Sequence, residues 1–519
     1  MEIFTKLIKF YLSIKLDKNE KFFIRKNFQE INNNHLKKKN YLFQLPTDYY
    51  YLCYYKIFIK ENCLENKNLY GLWPYMLHYQ GEDYFFAFFK KIYLKIYNYF
   101  LKKKWSILYS SIGITKILDL SNNNIEEKKK SRHQSIRVIN NLKSKTDVLK
   151  INFLGINIGE LIYDTYLRYR GKADLDIKDN YLKDIIYKSF LAVFKMRRIM
   201  KYYKFNFFHT SYTSYIHHGI PVRFLVKKKD IIILSGKEIS HYNKRINKNN
   251  LSDIANYKEF KKIFLNLQDK KKKIKSGLAN FNLKFKKFSN NLGTEMFFDT
   301  YKSHKTNQNH FKIIKNINGV VFLHDFFDAN HTVGKSIFSD YYEWTIFTLN
   351  FIKKNDLKIA VKPHPNTFFN KKDSVLTYSK LKEKFSDVLW LDYKFPNSIL
   401  FKKIKFGISA QGSVLGELAY HNIPSISCGD NPGINFNISY KAQSVKHYKK
   451  LLLNAEKLKI KHTKNDLGSY IYMYYLYQKD AFPTLARKIN LKSIPFQDNT
   501  KLLSSGLVKF ENLYKKQSL

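Results

Sequence analysis

The 519-residue chain has little cysteine, little arginine and no long uninterrupted apolar run. Its three cysteines, Cys53, Cys63 and Cys428, form no metal-binding spacing and cannot all pair, which is typical of a reducing compartment. Lysines interrupt the apolar stretch at residues 1–21, so this stretch is a poor secretory signal. No window approaches the roughly 18 uncharged apolar residues of a membrane-spanning helix. These absences predict a cytoplasmic protein, at most peripheral on the inner face of the plasma membrane.

Acidic residues are also few, and the formal net charge is +50. Such a charge normally indicates binding to nucleic acid or to an anionic membrane. The excess is nearly all lysine and accompanies abundant Asn, Ile, Tyr and Phe, whose codons are A/T-rich. Arginine, the better residue for bidentate recognition of bases and phosphates, is scarce. We therefore expect no nucleic-acid partner, and the charge either reflects the base composition of the gene or attracts the chain to an anionic membrane surface.

The apolar share of 44% and the aromatic share of 17% are ample for folded cores. The length exceeds what one core usually supports, so the sequence predicts two domains. The predicted division is a basic N-terminal segment (1–39), a first Rossmann-like domain (40–305), a second Rossmann-like domain (306–495) and a C-terminal tail (496–519). A polar stretch at residues 303–310 has the composition of an interdomain linker.

The first half contains a strand at residues 41–45, a helix through Lys60 and a long aromatic, lysine-rich helix at 82–105. The long helix is either a core helix with snorkelling lysines or an interfacial membrane helix. Three later segments are assigned from composition: a polar loop at 121–135, a strand at 230–236 and a charged helix at 267–277.

From residue 319 short apolar strands alternate with helices, which is typical of a parallel, doubly wound sheet. The predicted strands cover residues 319–325, 358–362, 388–392, 406–410 and 424–429. The predicted helices cover residues 340–354, 374–385, 396–403 and 412–421. Two such α/β domains facing a cleft would form the GT-B architecture.

A histidine lies between two prolines in KIAVKPHPN (358–366). Pro363 and Pro365 end the strand. His364 therefore lies at a strand's C-terminal end, where open α/β sheets bind ligands. It is either a binding residue or a turn histidine. The residues that follow the neighbouring strands distinguish these alternatives.

A helix begins directly after the strand at 406–410, at Gln411, Gly412 and Ser413. Gly412 permits a tight turn, and Ser413 can cap the helix and present its hydroxyl. The first-turn N–H groups and the helix dipole favour an anion. Glu417, on the same helix face, can accept hydrogen bonds from ribose hydroxyls. The alternative is an ordinary strand–helix turn with a surface glutamate.

VKPHP (361–365) followed by AQGSVLGELAYHNIPSISCG (410–429) resembles the capsule polysaccharide biosynthesis family, which includes bacterial Kdo transferases with HP and QS motifs. It is also similar to bacterial sialyl- and polysialyltransferases. The likeness covers about residues 319–430, with weaker likeness at 155–168 and 212–236. These families are GT-B enzymes that use CMP-activated acidic sugars.

The resemblance implies a metal-independent glycosyltransferase that needs no cofactor, because the nucleotide-sugar is a substrate. The donor would lie against the second domain, and a surface-glycan or glycolipid acceptor against the first. His364 and Ser413 would contact the donor phosphate, and Glu417 the ribose. The full donor-binding set is Lys362, His364, Gln411, Gly412, Ser413 and Glu417. Related HP proteins use CDP-glycerol, so a CDP-polyol phosphotransferase stays an alternative, as do a nucleotide-sugar epimerase and a non-catalytic basic scaffold.

The segment LHDFFDANH (323–331) follows the first strand of the second domain. Asp328 or Asp325 could deprotonate an acceptor hydroxyl, or could instead cap the next turn. A metal set of these aspartates with His324 and His331 is disfavoured, because GT-B chemistry rarely needs a metal and this segment has no DxD.

Two stretches of the first half carry acceptor-side candidates. GELIYDTYLRYRG (159–171) places Glu160, Asp164 and Arg168 at four-residue steps, either as a binding face or as a stabilising charge ladder. SYIHHGIPVR (214–223) is interpreted as a strand end with a glycine turn and a basic residue suited to an acidic acceptor. The candidates are Asp164, Arg168, His218 and Arg223.

Overall fold

A computed structural model defines the fold of the chain. The structure describes residues 14–28, 39–65, 67–74, 87–236, 243–252, 255–286, 312–369, 372–477, 496–497, 501–502 and 504–518. The predicted linker at 303–310 and the start of the long helix at 82–86 lie outside these ranges. No helix within them is both long and apolar enough to cross a membrane.

The first half of the chain forms a six-stranded sheet in the order β3-β2-β1-β6-β7-β8. Neighbouring strands are parallel, except that β8 is antiparallel to β7. The strands are β1 (Asn40–Gln44), β2 (Asn68–Trp73), β3 (Lys116–Asp119), β6 (Phe207–Thr210), β7 (Ile232–Gly236) and β8 (Asn243–Ile246), and a separate hairpin pairs β4 (Asn152–Phe153) with β5 (Ile156–Asn157). The strands predicted at 41–45 and 230–236 are thereby confirmed.

Helices cover both faces of this sheet. Leu42 and Phe43, adjacent on β1, belong to two different hydrophobic cores, as the alternation of side chains along a strand requires. The helices are α1 (Lys18–Phe28), α2 (Tyr49–Glu61), α3 (Ala87–Ser111), α4 (Ile125–Asn140), α5 (Lys145–Leu149), α6 (Gly159–Tyr166), α7 (Asn180–Tyr202) and α8 (Tyr215–Leu225). Helix α6 continues into a π-helical turn at Leu167–Gly171.

The polar loop predicted at 121–135 is wrong, because α4 occupies most of it. Asn124 caps this helix by accepting the Glu127 backbone N–H at 2.8 Å, and Glu127 reciprocally accepts the Asn124 N–H at 3.2 Å. Such a capping box stabilises a helix without any apolar periodicity. Buried Ser131 and Ser135 then give α4 a face of small residues that packs closely on α7.

The second half forms a five-stranded, fully parallel sheet in the order β10-β9-β11-β12-β13. The strands are β9 (Gly319–Phe322), β10 (Ile359–Lys362), β11 (Phe406–Ile408), β12 (Ser425–Ser427) and β13 (Tyr440–Lys441). The strand predicted at 388–392 is wrong. Only Trp390 forms a single bridge there, to Val361, because the chain turns away after one residue.

The helices that accompany the second sheet are mostly short. They are α9 (Phe260–Leu265), α10 (Lys270–Lys286), α11 (Asn330–Val333), α12 (Tyr341–Lys354), α13 (Asn366–Phe369), α14 (Lys372–Lys384), α15 (Asn397–Leu400), α16 (Val414–Tyr420), α17 (Val445–Leu453) and α18 (Lys464–Ile471). Further turns are 3₁₀ at Ala255–Glu259, Ile434–Phe436 and Ala455–Lys457, and π-helical at Tyr472–Leu476. The charged helix predicted at 267–277 and the helices predicted between the strands are confirmed.

Two segments pack away from their sequence neighbours. Helices α9 and α10 contact α18 and share a core with Phe436 and Tyr470, beside the second sheet. The last part of the chain forms a hairpin, β14 (Phe496–Gln497) with β15 (Lys501–Leu502), and helix α19 (Ser505–Ser518), which packs on α1 and α2. There the Lys56 ammonium contacts the Glu511 carboxylate at 2.8 Å, and both are buried. The domain division at residues 305 and 306 itself stays a prediction.

The two Rossmann-like domains face each other across a cleft, as in the GT-B architecture. Side chains of α5 and α6 contact the second domain directly. The Tyr163 hydroxyl donates to Asp340 Oδ2 at 2.5 Å, and Lys145 Nζ lies 3.0 Å from the same oxygen. These contacts join the first domain to the start of α12 in the second.

Candidate functional site

The candidate site lies at the carboxyl ends of β9, β10 and β11. Strands β10 and β11 pair with opposite edges of β9, so the strand order reverses here, and open α/β sheets bind ligands at such a point. Val321 pairs with Val361 on one side and Ile408 on the other. This register brings the residues that follow the three strands to one edge.

His324 follows β9 and is fixed by the loop after β11. Its Nε2 accepts the Gln411 backbone N–H at 3.2 Å and lies 3.2 Å from Ser409 Oγ, and its ring stacks on Tyr341 with centroids 4.1 Å apart. Burial, and then the nearby His364, lowers the pKa of His324 to about 3. The ring is therefore neutral, with its proton on Nδ1. From the sequence, His324 is a candidate only for a metal ligand. No local pattern predicts that it accepts the Gln411 N–H.

His364 follows β10 in the loop that leads into α13. Its Nδ1 accepts the Asn366 N–H at 3.2 Å, so the proton of the neutral ring is on Nε2. Burial lowers the pKa of His364, although Asp325 and Asp328 oppose the shift. His364 is thus a turn residue and, equally, a neutral hydrogen-bond donor at the switch point.

The Gln411–Ser413 turn differs in detail from its prediction. A Cβ on Gly412 would lie 2.7 Å from Ser409 Oγ and 3.4 Å from His324 Cε1, so glycine is required for space. Ser413 precedes α16 and is exposed, but its side chain makes no capping hydrogen bond, so the predicted cap is wrong. Gln411 is buried, and its Oε1 accepts the Tyr341 hydroxyl at 3.0 Å.

Lys362, the last residue of β10, is bound by the loop that precedes α15. Its buried ammonium donates to the Phe395 carbonyl at 2.6 Å and to Asn397 Oδ1. Burial lowers the pKa of Lys362 to about 7, opposed by Glu417 and then Asp392. The hydrogen bonds of Lys362 thus brace the loop before α15, and half-buried Glu417 acts on this lysine through its charge.

Asp325 and Asp328 face the first domain from the loop after β9. Asp325 is buried and accepts the Phe327 N–H at 3.1 Å, and Arg168 Nη1 lies 3.9 Å from its other oxygen. Burial and the Asp328 charge raise the pKa of Asp325. Asp328 is exposed and accepts the Ala329 N–H at 3.1 Å. Its charge acts on groups of both domains: Arg168, Tyr215 and His364.

An acid–base pair joins Asp164 of the first domain to His331 of the second. Asp164 Oδ1 lies 2.6 Å from His331 Nδ1, and both Asp164 Oδ2 and His331 Nε2 are buried without a hydrogen-bond partner. Burial alone would lower the pKa of His331, but the Asp164 carboxylate raises it above its ordinary value. Local spacing could not reveal this pair, since its members are 167 residues apart.

The four-residue steps of α6 do not form a charge ladder. Glu160 pairs with Arg223 at 2.7 Å, whereas Asp164 and Arg168 turn toward the second domain. Arg223 also donates to the Asn157 carbonyl at 2.6 Å, at the far end of α8 from the cleft. The structure therefore brings Asp164 and Arg168 to the candidate site and leaves Arg223 outside it.

The strand end predicted at 214–223 is wrong, because these residues form α8. Pro221 within the helix has no N–H, so the His217 carbonyl one turn earlier is released and accepts Gln44 Nε2 at 3.0 Å. His218 Nδ1 lies 2.8 Å from Gln44 Oε1 at the same place, the carboxyl end of β1. Tyr215 starts the helix at φ 61°, a conformation that bulky residues rarely adopt, and its ring packs edge-on against Tyr169.

Within the described ranges, no group of three or more His, Cys, Asp or Glu side chains gathers in a way that could hold a metal ion. His324 and His331, considered together in the sequence, make separate contacts with Gln411 and Asp164. The independence of the reaction from metal stays a prediction.

No family model matches the sequence, and no curated protein matches it. Among solved structures, the chain is similar to the beta Kdo 2,7 transferase of Thermosulfurimonas dismutans KpsC, at 11% identity, 61% coverage of this chain, 88% of that chain and a TM-score of 0.31. The UDP-GlcNAc 2-epimerase of Methanocaldococcus jannaschii, solved with UDP-GlcNAc and UDP, has 12% identity, 84% and 98% coverage and a TM-score of 0.25. Anabaena Alr3699/HepE, in complex with UDP-glucose, has 8% identity, 93% and 100% coverage and a TM-score of 0.25. At these identities the likeness concerns the fold alone.

Proposed function

We propose that the chain is a glycosyltransferase that moves a sugar from a nucleotide donor to a surface or capsular glycan or glycolipid. The observation that carries this proposal is the set of groups that meet at the switch point. Two neutral histidines, His324 and His364, follow adjacent strands, and the charge of the exposed Asp328 acts on His364 and on Arg168 of the first domain. An anion donor site and a base thus lie in one cleft.

On the donor side, His364 would donate its Nε2 proton in a hydrogen bond to the departing phosphate. A preorganised donor at a buried position stabilises charge that develops there. Two features of the neighbouring turn support a phosphate at this edge of the sheet. Gly412 has no side chain to fill the space beside His324, and the Ser413 side chain is exposed. The sequence resemblance favours CMP and an acidic sugar, and CDP is the nearest alternative donor nucleotide.

On the acceptor side, we assign the base to Asp328 in preference to Asp325. Asp328 is exposed and its charge acts on groups of both domains, whereas Asp325 is buried and faces Arg168. Overall, the acceptor oxygen forms a bond to the sugar's anomeric carbon as the bond from that carbon to the phosphate oxygen breaks. The acceptor proton goes to a carboxylate, and the electron pair stays on the nucleotide phosphate. Arg168 would bind an acidic group of the acceptor or hold Asp325.

We place this reaction in the cytoplasm. Cys53, Cys63 and Cys428 are all free thiols in the structure, which supports a reducing compartment. The nucleotide-sugar would be consumed as a substrate, with no cofactor.

The test is a thermal-shift and calorimetry panel of CMP, CDP, UDP and GDP with the purified full chain. A nucleotide at ~100 times its Kd should stabilise the protein by roughly 2.7 kcal/mol. His364→Ala should weaken that nucleotide about tenfold or more, because a hydrogen bond to a charged group is lost. His133→Ala, at an exposed position of α4, is the matched control.

Stabilisation by none of the four nucleotides would refute the donor site and favour a basic scaffold. If a nucleotide binds, mass spectrometry of the extended acceptor distinguishes the transferred group. An added sugar without phosphorus supports the proposal, whereas an added polyol phosphate would replace it with a phosphotransferase.

A further inference from the structure

Helix α3 presents a stripe of large apolar side chains to solvent. We define this outer stripe by its exposed residues, which are Ile92, Tyr93, Ile96, Tyr99, Phe100 and Ile107. From Ile92 to Phe100 they recur at steps of three and four, and Ile107 follows two turns later, so all six lie on one face. Tyr99 is 67% exposed. From Ile92 to Ile107 the stripe extends about 22 Å along the helix axis.

The opposite face of α3 packs into the core of the first domain. Leu101, Trp105, Leu108 and Tyr109 are buried and belong to the core that also contains Phe43 of β1. At 3.6 residues per turn these positions point away from Ile96 and Tyr99. The outer stripe therefore does not contribute to this core, and a contiguous exposed apolar patch of this kind marks an interaction site.

The charges around the stripe are of one sign. The sequence of α3 contains lysines but neither Asp nor Glu. Lys102 and Lys104 pair with Asp119 and Glu20, on the side toward the protein body. Exposed Lys95 lies at the edge of the stripe, and exposed Lys103 lies on its face, between Phe100 and Ile107. An apolar stripe that contains tyrosines and carries exposed lysines matches a surface that is apolar inside and anionic outside.

We propose that the outer stripe of α3 binds an anionic phospholipid bilayer, with the helix lying in the interface. A second copy of the chain is a poorer occupant, because each copy carries a formal net charge of +50 and the two would repel. Tyrosine rings suit the headgroup level, and exposed lysines are attracted to anionic lipid. This surface lies outside the nucleotide cleft, so it can be tested whether or not that cleft transfers a sugar.

The experiment is vesicle co-sedimentation of the full chain with mixed phosphatidylcholine–phosphatidylglycerol vesicles and with pure phosphatidylcholine vesicles. The double variant Ile96→Ser/Tyr99→Ser should lower partitioning into anionic vesicles about tenfold, because apolar area no longer inserts. Its matched control is Ile136→Ser/Leu453→Ser, which removes exposed apolar residues elsewhere and should leave partitioning unchanged.

The charge contribution is tested separately with Lys95→Gln/Lys103→Gln. Each lost lysine should weaken anionic binding about fivefold, and added salt should reduce the parent's binding. The control Lys270→Gln/Lys271→Gln makes the same change in net charge at exposed positions of α10. Circular dichroism confirms that each variant is folded.

Three results would overturn the proposal. One is equal binding of the parent to neutral and anionic vesicles, and another is unchanged binding by both α3 variants. The third is a parent that forms dimers in sedimentation velocity, loses them in Ile96→Ser/Tyr99→Ser and binds no vesicles, which would make a second copy the occupant.

Discussion

Replacing Lys362 by methionine tests whether this lysine supports the fold or binds the donor. In the fold its ammonium is buried and its pKa is lowered to about 7, whereas an unfolded lysine titrates near 10.4. Between these pH values the unfolded chain holds one more proton than the folded chain, so the parent gains stability as the pH rises. Each pH unit is worth about 1.4 kcal/mol. Because the lysine is only partly titrated at the ends of this range, the parent is about 3 to 4 kcal/mol less stable at pH 7 than at pH 10 from this group alone.

Methionine removes that pH dependence and also two hydrogen bonds. The Phe395 carbonyl and Asn397 Oδ1 lose their donor, which costs about 1–3 kcal/mol. Lys362→Met should therefore be more stable than the parent at pH 7, by about 2 kcal/mol, and less stable at pH 10. A change of 1 kcal/mol shifts the Tm of a domain this size by about 2–4 °C, so the Tm difference should fall by about 10 °C across this range.

The assay is scanning fluorimetry of parent and variant from pH 7 to pH 10, with nucleotide affinity measured at pH 7. Lys358→Met, at an exposed position just before β10, should show a small and constant Tm difference. A Tm difference between parent and Lys362→Met that stays constant from pH 7 to pH 10 would refute a lysine whose pKa is lowered by burial. If nucleotide affinity also disappeared, Lys362 would be the donor ligand that the sequence predicts.

Three further predictions concern the cleft. His364→Ala should reduce turnover strongly with little change in Tm. The loss in the double variant with Ser413→Ala should be less than the sum of the two single losses if both side chains contact one phosphate. A much lower Tm with full specific activity would show that His364 serves only the turn. Asp328→Asn should keep nucleotide affinity and lower turnover by ~10²-fold or more, and weaker nucleotide binding at unchanged turnover would contradict a base. In Asp164→Asn, an NMR titration should give His331 a lower pKa than in the parent, because burial persists while the nearest carboxylate is lost; an unchanged raised pKa would exclude Asp164 as its cause.

Part of this fold could be predicted because it is local. The strands β9 to β12 are short apolar runs bounded by turn residues, and the prolines around His364 mark a strand end. Helix α4 was missed because its signal is a capping box rather than an apolar period. Helix α8 was missed because Pro221 and the Gly219 before it are typical of turns, yet Pro221 is tolerated where Gln44 takes over the freed carbonyl.

The residues of the candidate site likewise divide into those that local sequence predicts and those that only the fold brings together. The positions of His364 and Gly412 follow from strand ends, so their sequence context was sufficient. His324 becomes a site residue only through the Gln411 N–H on another strand. The Asp164–His331 pair requires the two domains to face each other, and no spacing along the chain encodes such a distance. The effect of the Asp328 charge on Arg168 likewise requires the two domains to face each other.

The contact between α19 and α2 sets the order in which the molecule can be completed during synthesis. Lys56 cannot form its ion pair until Glu511, 455 residues later, has been synthesised. Leu507, Phe510 and Tyr514 of α19 also belong to the same core as Phe43. At usual translation speeds this interval lasts about 20 to 90 seconds. The second sheet leaves the ribosome whole before the first core receives its last helix. Until then apolar side chains of α2 stay open to chaperones and to aggregation, so the domain that is made first is finished last.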